Sequence, residues 1–213
     1  DGFEITEKFY MIVEGENTTT MAKSTGLGII DMTSILSNLE PDVVVVIGDR
    51  YEIMSVVIAA AYMNIPIAHT MGGERTGTID ESIRHAITKF AHIHFPANED
   101  AKERIIKMGE DPNTVYNVGC PRMDYIKEVL TNIKDNVRYT SEEIFAKYKG
   151  VGGDFNLDSE DFILVSYHPV TTEFGMNRHY AEELLAALQE INMPTIMLWP
   201  NADAGSDEIS KAV

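Results

Sequence analysis

The β-branched run DVVVVIGD at residues 42–49 constrains the fold of this chain more than any other feature. Such a continuous apolar run is typical of a strand that is buried on both faces of a parallel sheet. The nearly all-apolar segment 52–64 follows it and predicts a helix, and IPIAHT at 65–70 predicts the next strand. A strand, a helix and a second strand in this order predict a parallel α/β unit.

The same alternation continues along the chain. Residues 78–91 carry apolar side chains at helical spacing, among them Ile79, Ile83 and Ile87, which predicts an amphipathic helix. Further strands are predicted at 92–97, 115–119, 162–168 and 194–200, and further helices at 99–109, 123–130 and 181–191. We therefore expect doubly wound parallel sheets with right-handed crossovers.

The composition changes between residues 131 and 160. This stretch predicts one short helix, in TSEEIFAKYKG, and then becomes rich in glycine and aspartate before a new strand begins. We expect a first Rossmann-like domain over residues 1–155 and the start of a second over 156–213. The chain starts without a methionine and ends after about 50 residues of this second unit, so we expect a fragment.

The charge balance narrows the class of partner. The chain has 34 acidic and 17 basic residues, a formal net charge of −17, which disfavours binding to nucleic acids and to anionic membranes. No run reaches the roughly 20 apolar residues that span a bilayer, and the first residues do not resemble a signal peptide. A single cysteine, Cys120, fits a reducing compartment. We expect a cytoplasmic protein that binds a small molecule, which local arginines could hold even if it is anionic.

Polar residues stand where the predicted strands end, which is where ligands bind in open α/β sheets. Asp49 ends the first strand and could equally cap the following helix. His69 ends the second strand and could either bond to a backbone carbonyl or contact a ligand. His168 takes the matching place after FILVSYH, although a lone histidine at a strand end is more often structural.

The segment HTMGGERTGTIDESIRH at residues 69–85 concentrates charge after a strand. Gly72 and Gly73 predict a turn, and the charged residues on or just beyond it are Glu74, Arg75, Asp80, Glu81 and Arg84. Asp80 suits a helix N-terminus, and it lies four residues before Arg84, a spacing that also produces ordinary surface ion pairs. Helix capping and a catalytic crevice both remain open for this segment.

Metal and dinucleotide sites are not predicted. His92 and His94 alternate along one strand with no cysteine nearby, so packed or edge positions suit them better than metal ligation. The sequence GLG at 26–28 follows no predicted strand and lacks the third glycine of the dinucleotide-binding fingerprint. We expect no metal and no cofactor.

Taken together, the motifs closely resemble those of the hydrolysing UDP-N-acetylglucosamine 2-epimerases. The resemblance rests on PDVVVVIGDR, IPIAHTMGGERTGTIDESIRHAITKFAHIHF, GCPRMD, VSYHPVTTEFG and WPNADAGSD, in this order. Within the family, the forms GDR, GGE…GTIDESIRH and HPVTTE look most like the branch that serves sialic and other nonulosonic acid synthesis. The resemblance implies a GT-B-like fold of two Rossmann-like domains around a cleft, truncated here at both ends, and a homodimer.

The resemblance also implies roles for individual residues. It places Asp49, Asp80 and His168 at catalytic positions, with Arg84 beside them as an orienting cation. Several relatives have a glutamate where this chain has Met71, and Glu74 is the candidate that takes over this catalytic role. Substrate-binding roles are implied for Arg50, His69, Gly72, Gly73, Arg84 and Asn201.

The implied reaction converts UDP-N-acetylglucosamine, or a related sugar such as UDP-diacetylbacillosamine, to the free 2-epimer and UDP. The C2 proton is weakly acidic, so its removal needs a carboxylate whose pKa is raised by burial or by a like-charged neighbour. Loss of UDP gives a glycal, and water then adds across its double bond without NAD. Two alternatives remain, a GT-B glycosyltransferase and a non-catalytic UDP-sugar-binding protein, the latter suggested by Met71.

Overall fold

The computed structural model describes residues 4–132, 140–148, 150–153 and 155–213. The chain divides into two compact units, residues 1–121 and residues 122–213. This division lies before the glycine-rich stretch of the sequence. The domain boundary expected at 155/156 stays a prediction. None of the described helices has both the length and the apolar character needed to cross a membrane.

The first unit is a three-stranded parallel sheet with helices. Its elements are α1 (Thr18–Leu39), β1 (Val44–Ile47), α2 (Tyr51–Tyr62), β2 (Ile67–Thr70), α3 (Ile79–Phe90), β3 (Ile93–Phe95) and α4 (Glu99–Lys107). The strand order is β1-β2-β3, and Val46, His69 and His94 are partners across the sheet. The strand expected at 115–119 is reduced to a single parallel bridge between Val115 and His94. The parallel α/β architecture is confirmed.

Strand β1 is buried on one face only. The prediction that the strand within residues 42–49 is buried on both faces is therefore wrong. Val46 is 3% exposed, whereas Val45 and Ile47 are 62% and 59% exposed. The reason is that the hydrophobic core lies on the Val46 side of the sheet. That core consists of Leu36, Val46, Val57, Ala59, Ala60, Ile67, Ile87 and Ala91.

Helix α1 was not anticipated from the sequence. It begins after Asn17, whose side chain accepts a hydrogen bond from the Thr20 amide at 3.0 Å in a reciprocal capping box. Two glycines within the helix, which cost about 1 kcal/mol each relative to alanine, weaken the sequence signal. One of them, Gly28, lies so close to Ser55 and Met11 that a Cβ there would overlap both side chains. The glycine therefore permits close packing of α1.

The second unit contains a two-stranded parallel sheet. Its elements are α5 (Pro121–Asn132), α6 (Ser141–Tyr148), β4 (Ile163–Ser166), α7 (Asn177–Ile191), β5 (Thr195–Leu198) and α8 (Ser206–Ala212). The strands β4 and β5 pair from Ile163 with Thr195 to Ser166 with Leu198. Their carboxyl ends therefore meet at one edge, as the sequence predicts.

Candidate active site

The turn after β1 brings Asp49 to the carboxyl edge of the first sheet. Gly48 has φ +78°, a conformation that favours glycine, and its amide donates to the Thr70 carbonyl at 3.1 Å. Arg50, and not Asp49, occupies the N-cap position of α2, and its guanidinium pairs with Glu52 at 2.8 Å. The capping interpretation of Asp49 is therefore not supported.

Arg84 joins three segments of the first unit. Its guanidinium forms an ion pair with Asp49, donates to the Glu74 carbonyl at 2.7 Å and lies 3.5 Å from the Thr76 hydroxyl. Arg84 is 3% exposed. A buried guanidinium keeps its charge, so its carboxylate partner and hydrogen bonds are needed to offset desolvation. The arrangement fixes the loop after β2 beside the turn after β1.

His69 lies inside this edge of the sheet. Its Nε2 is 2.8 Å from the Gly48 carbonyl oxygen, and its Nδ1 is 3.3 Å from the Thr88 hydroxyl. Burial lowers the pKa of His69 to about 4, so the imidazole is neutral near pH 7. Because a carbonyl only accepts, Nε2 carries the proton. These contacts favour the backbone-bonded interpretation, and the substrate contact of His69 stays a prediction.

The two glycines of the loop are required by close packing. A Cβ at Gly72 would lie 2.9 Å from His69 Nδ1 and 3.0 Å from the Thr88 hydroxyl. Gly73 has φ +81°, and a Cβ there would overlap the carbonyl oxygen of Ala101 on α4. The loop therefore packs against His69 and Thr88 at Gly72 and against α4 at Gly73. The predicted turn is confirmed, and substrate contact by these glycines stays a prediction.

A cavity of about 680 Å³ opens beside this loop. Its lining residues are Glu74, Arg75, Thr76, Gly77, Glu81, Asn98, Asp100, Ala101 and Arg104. The Glu81 carboxylate accepts from the amides of Gly77 at 2.8 Å and Thr76 at 2.7 Å, and these bonds lower its pKa. Glu81 therefore braces the loop that carries Glu74. Asp80 is half-buried in the first turn of α3.

In the second unit, the structure brings together two residues singled out from different motifs. The backbone N–H of Asn201 donates to His168 Nδ1 at 3.2 Å, and His168 Nε2 lies 3.2 Å from the Ser166 hydroxyl. With Nδ1 accepting, the neutral ring carries its proton on Nε2. His168 is exposed, and the Ser166 hydroxyl is the acceptor beside this N–H.

Comparison with known proteins identifies the family. Residues 1–213 match the family described as UDP-N-acetylglucosamine 2-epimerase. The chain belongs to this family.

Two relatives illustrate the similarity of this chain to other members of the family. It is 36% identical over 197 residues to the UDP-N,N'-diacetylbacillosamine 2-epimerase (hydrolyzing) of Legionella pneumophila, covering 92% of this chain and 48% of that protein. It is 32% identical over 216 residues to the polysialic acid biosynthesis protein P7 of Escherichia coli, covering 100% of this chain and 52% of that protein. The chain spans about half the length of the curated relatives it matches.

The fold of this UDP-N-acetylglucosamine 2-epimerase family member is shared with solved structures. A crystal structure of the UDP-GlcNAc 2-epimerase of Methanocaldococcus jannaschii, in complex with UDP-GlcNAc and UDP, matches with a TM-score of 0.69. The match covers 91% of this chain and 51% of that one at 19% identity. The expected GT-B-like α/β fold class is confirmed.

The structure also places at this candidate site residues that the sequence analysis did not single out. Asn98 follows β3 and lines the cavity, so the strand-end rule that selected Asp49 would have found it. Thr88 and Arg104 lie within helices, and the packing of those helices brings their side chains to His69 and Gly73. No sequence pattern around either residue indicates these contacts. Among the described residues, no group of three or more histidine, cysteine or acidic side chains could hold a metal ion.

Proposed function

We propose that the protein containing this chain is a hydrolysing 2-epimerase of UDP-N-acetyl sugars. Its products are the free 2-epimer, of the N-acetylmannosamine type, and UDP. Family membership and the name of the Legionella relative support this proposal, and the name of the Escherichia coli relative supports a role in sialic or other nonulosonic acid synthesis. We further propose a cytoplasmic homodimer.

The observation that carries the proposal is the buried ion pair between Arg84 and Asp49 beside the loop of Glu74. It joins the turn of Asp49 to the loop of Glu74, and Asp80 lies in the first turn of the helix that supplies Arg84. Glu74 is the candidate base, because it lines the cavity, whereas Asp49 is engaged by Arg84. Asp49 or Asp80 would then serve the opposite face of the sugar, as inversion at C2 requires.

The reaction needs no net oxidation. As a carboxylate takes the C2 proton, the C2–H electron pair forms a C1=C2 double bond while the C1–O bond breaks and its electrons leave with UDP. Water then supplies oxygen to C1 and a proton reaches C2 from the opposite face. We assign the exposed Nε2–H of His168 to the leaving diphosphate, since Asn201 fixes that tautomer.

Isotope labelling of the full-length protein tests the proposal. In deuterated water, UDP-N-acetylglucosamine or UDP-N,N'-diacetylbacillosamine should give a free 2-epimer that carries deuterium at C2. In ¹⁸O-labelled water, the label should enter C1 of the sugar and not the released UDP. Oxygen label in the nucleotide, or a product with unlabelled and uninverted C2, would refute the proposal. A glycosyltransferase would release free 2-epimer from neither sugar.

A second candidate is a UDP-sugar-binding protein without turnover. It is favoured by Met71, because the resemblance places a catalytic glutamate of several relatives at this position. Met71 adopts φ +61°, and its backbone N–H donates to the Phe95 carbonyl at 2.9 Å. This hydrogen bond fixes the main chain at Met71 to the end of β3. Binding of UDP-N-acetylglucosamine by calorimetry without product in the labelling experiment would select this candidate.

A further inference from the structure

Two arginines hold consecutive carbonyl groups of the loop that carries Glu74. Arg84 from α3 donates to the Glu74 carbonyl at 2.7 Å, and Arg104 from α4 donates to the Gly73 carbonyl at 2.5 Å. These contacts reach the same stretch of main chain from two different helices. The carbonyl groups just before and just after the Glu74 Cα therefore each accept a hydrogen bond from a charged side chain.

Arg104 is itself held in place on α4. Its other guanidinium nitrogen, Nη2, donates to the Asp100 carboxylate at 2.8 Å, one turn earlier on the helix. The start of α4 is capped by Asn98, whose side chain accepts from the Ala101 amide at 2.8 Å. Gly73 packs against the Ala101 carbonyl, so loop and helix are in direct contact.

We propose that Arg104 is a positioning residue that fixes the main chain at Glu74 through the Gly73 carbonyl. This inference rests on the proposed function, in which Glu74 acts on the sugar. The arginine sets the direction of the Glu74 side chain into the cavity without acting on the substrate. Displacement of a reacting group by about 1 Å can cost about 10²-fold in rate, so a loosened loop has a measurable effect.

Lys107 provides a matched control on the same helix. It pairs with Glu103 at 3.2 Å with the same four-residue spacing that Arg104 has with Asp100. The Lys107 side chain is 75% exposed, and that of Arg104 is 25% exposed. Lys107→Ala therefore removes a helix-surface ion pair and leaves the loop contact intact.

Kinetics of the full-length protein provide the first test. With UDP-N-acetylglucosamine, Arg104→Ala should lower kcat about 10-fold and change KM less than about 2-fold. Arg104→Lys should retain most of kcat, because an ammonium can still donate to the Gly73 carbonyl. Lys107→Ala should match the wild type. A raised KM with unchanged kcat would overturn the proposal, because Arg104 would then bind substrate directly.

Hydrogen exchange, measured by mass spectrometry on the same variants, does not depend on turnover. The amides of Thr76 and Gly77, which bond to Glu81, should exchange about 10-fold faster in Arg104→Ala, as expected for a loosened loop. Lys107→Ala should leave their exchange unchanged. Equal exchange in Arg104→Ala and wild type would overturn the inference. A wild type that turns over no UDP sugar would refute the proposed function, while exchange would still decide whether Arg104 holds the loop.

Discussion

Arg84 on α3 forms an ion pair with Asp49, which follows β1 and lies 35 residues earlier in the chain. The Arg84 side chain is 4% exposed and that of Asp49 is 23% exposed. The charge of Arg84 is thus balanced by a residue that also stands at the edge where ligands bind. This pair contributes to stability and, in the proposed function, to catalysis.

Asp49→Asn should therefore affect both properties. We expect turnover to fall by about 10²-fold or more, because a catalytic carboxylate is lost. We also expect the free energy of unfolding to fall by about 3 kcal/mol, because the Arg84 charge is left unbalanced. Steady-state kinetics and urea denaturation measure the two effects. The control Glu52→Gln breaks the more exposed pair with Arg50 and should cost about 1 kcal/mol or less. Wild-type turnover in Asp49→Asn would exclude its catalytic role.

Asp80→Asn should lower turnover by a similar factor of about 10²-fold, with a much smaller effect on stability. Asp80 lies in the first turn of α3, where a lost negative charge costs about 0.3–1 kcal/mol. Glu99→Gln removes an equivalent charge from the first turn of α4 and should leave turnover unchanged. If both variants retain full turnover, Asp80 only stabilises its helix.

His168→Ala should reduce turnover by about 10²-fold, the usual loss when a hydrogen-bond donor to developing negative charge is removed. Because His168 is exposed, we expect the melting temperature to change little. The matched control is His179→Ala, another exposed histidine of the second unit. A large loss of folded protein in His168→Ala would instead show that the bond from Asn201 is structural.

Stability should fall as the pH is lowered from 7 to 5, partly because of His69. Its pKa is lowered from 6.5 to about 4 in the folded chain, chiefly by burial. Between these values the unfolded state binds the proton and the folded state does not, so stability is complete above pH 6.5 and is lost towards pH 4. The contribution between pH 7 and 5 is about 2 kcal/mol.

Urea denaturation of wild type and His69→Asn at both pH values isolates this contribution. Asparagine can still donate to the Gly48 carbonyl but does not titrate, so the pH dependence should become shallower. Burial also lowers the pKa values of His85 and His94, but both residues are present in both proteins. The difference between the two pH dependences therefore reports on His69. An identical pH dependence in the two proteins would contradict the assignment to His69.

Gly73→Ala should destabilise the chain more than Gly77→Ala. Both glycines have positive φ values, +81° and +74°, so either substitution introduces backbone strain of about 1 kcal/mol. Only at Gly73 does the new Cβ meet a neighbour, the Ala101 carbonyl, whereas nothing lies within 4 Å at Gly77. The difference in urea midpoints measures the packing of the loop on α4. Equal effects would show that the loop does not rest on that helix.

The strands and helices around the site follow from local patterns in the sequence. The apolar run at 42–49 contains β1, the spacing of Ile83 and Ile87 lies on α3, and His168 follows the end of β4 by two residues. These patterns are readable because strand and helix periodicities are properties of neighbouring residues. Helix α1 was missed because its two glycines weaken the local preference, and only its packing against Ser55 explains Gly28.

The sequence by itself determined which polar residues stand at the ends of strands, since strand ends are set locally. Only the tertiary structure decided which of them meet. The four-residue spacing of Asp80 and Arg84 is readable in the sequence, whereas the ion pair of Arg84 with Asp49, 35 residues away, depends on how the sheet and α3 pack. Arg104 reaches Gly73 across 31 residues in the same way. Sequence spacing reports contacts within one helix, whereas these contacts depend on how strands align and how helices pack onto them.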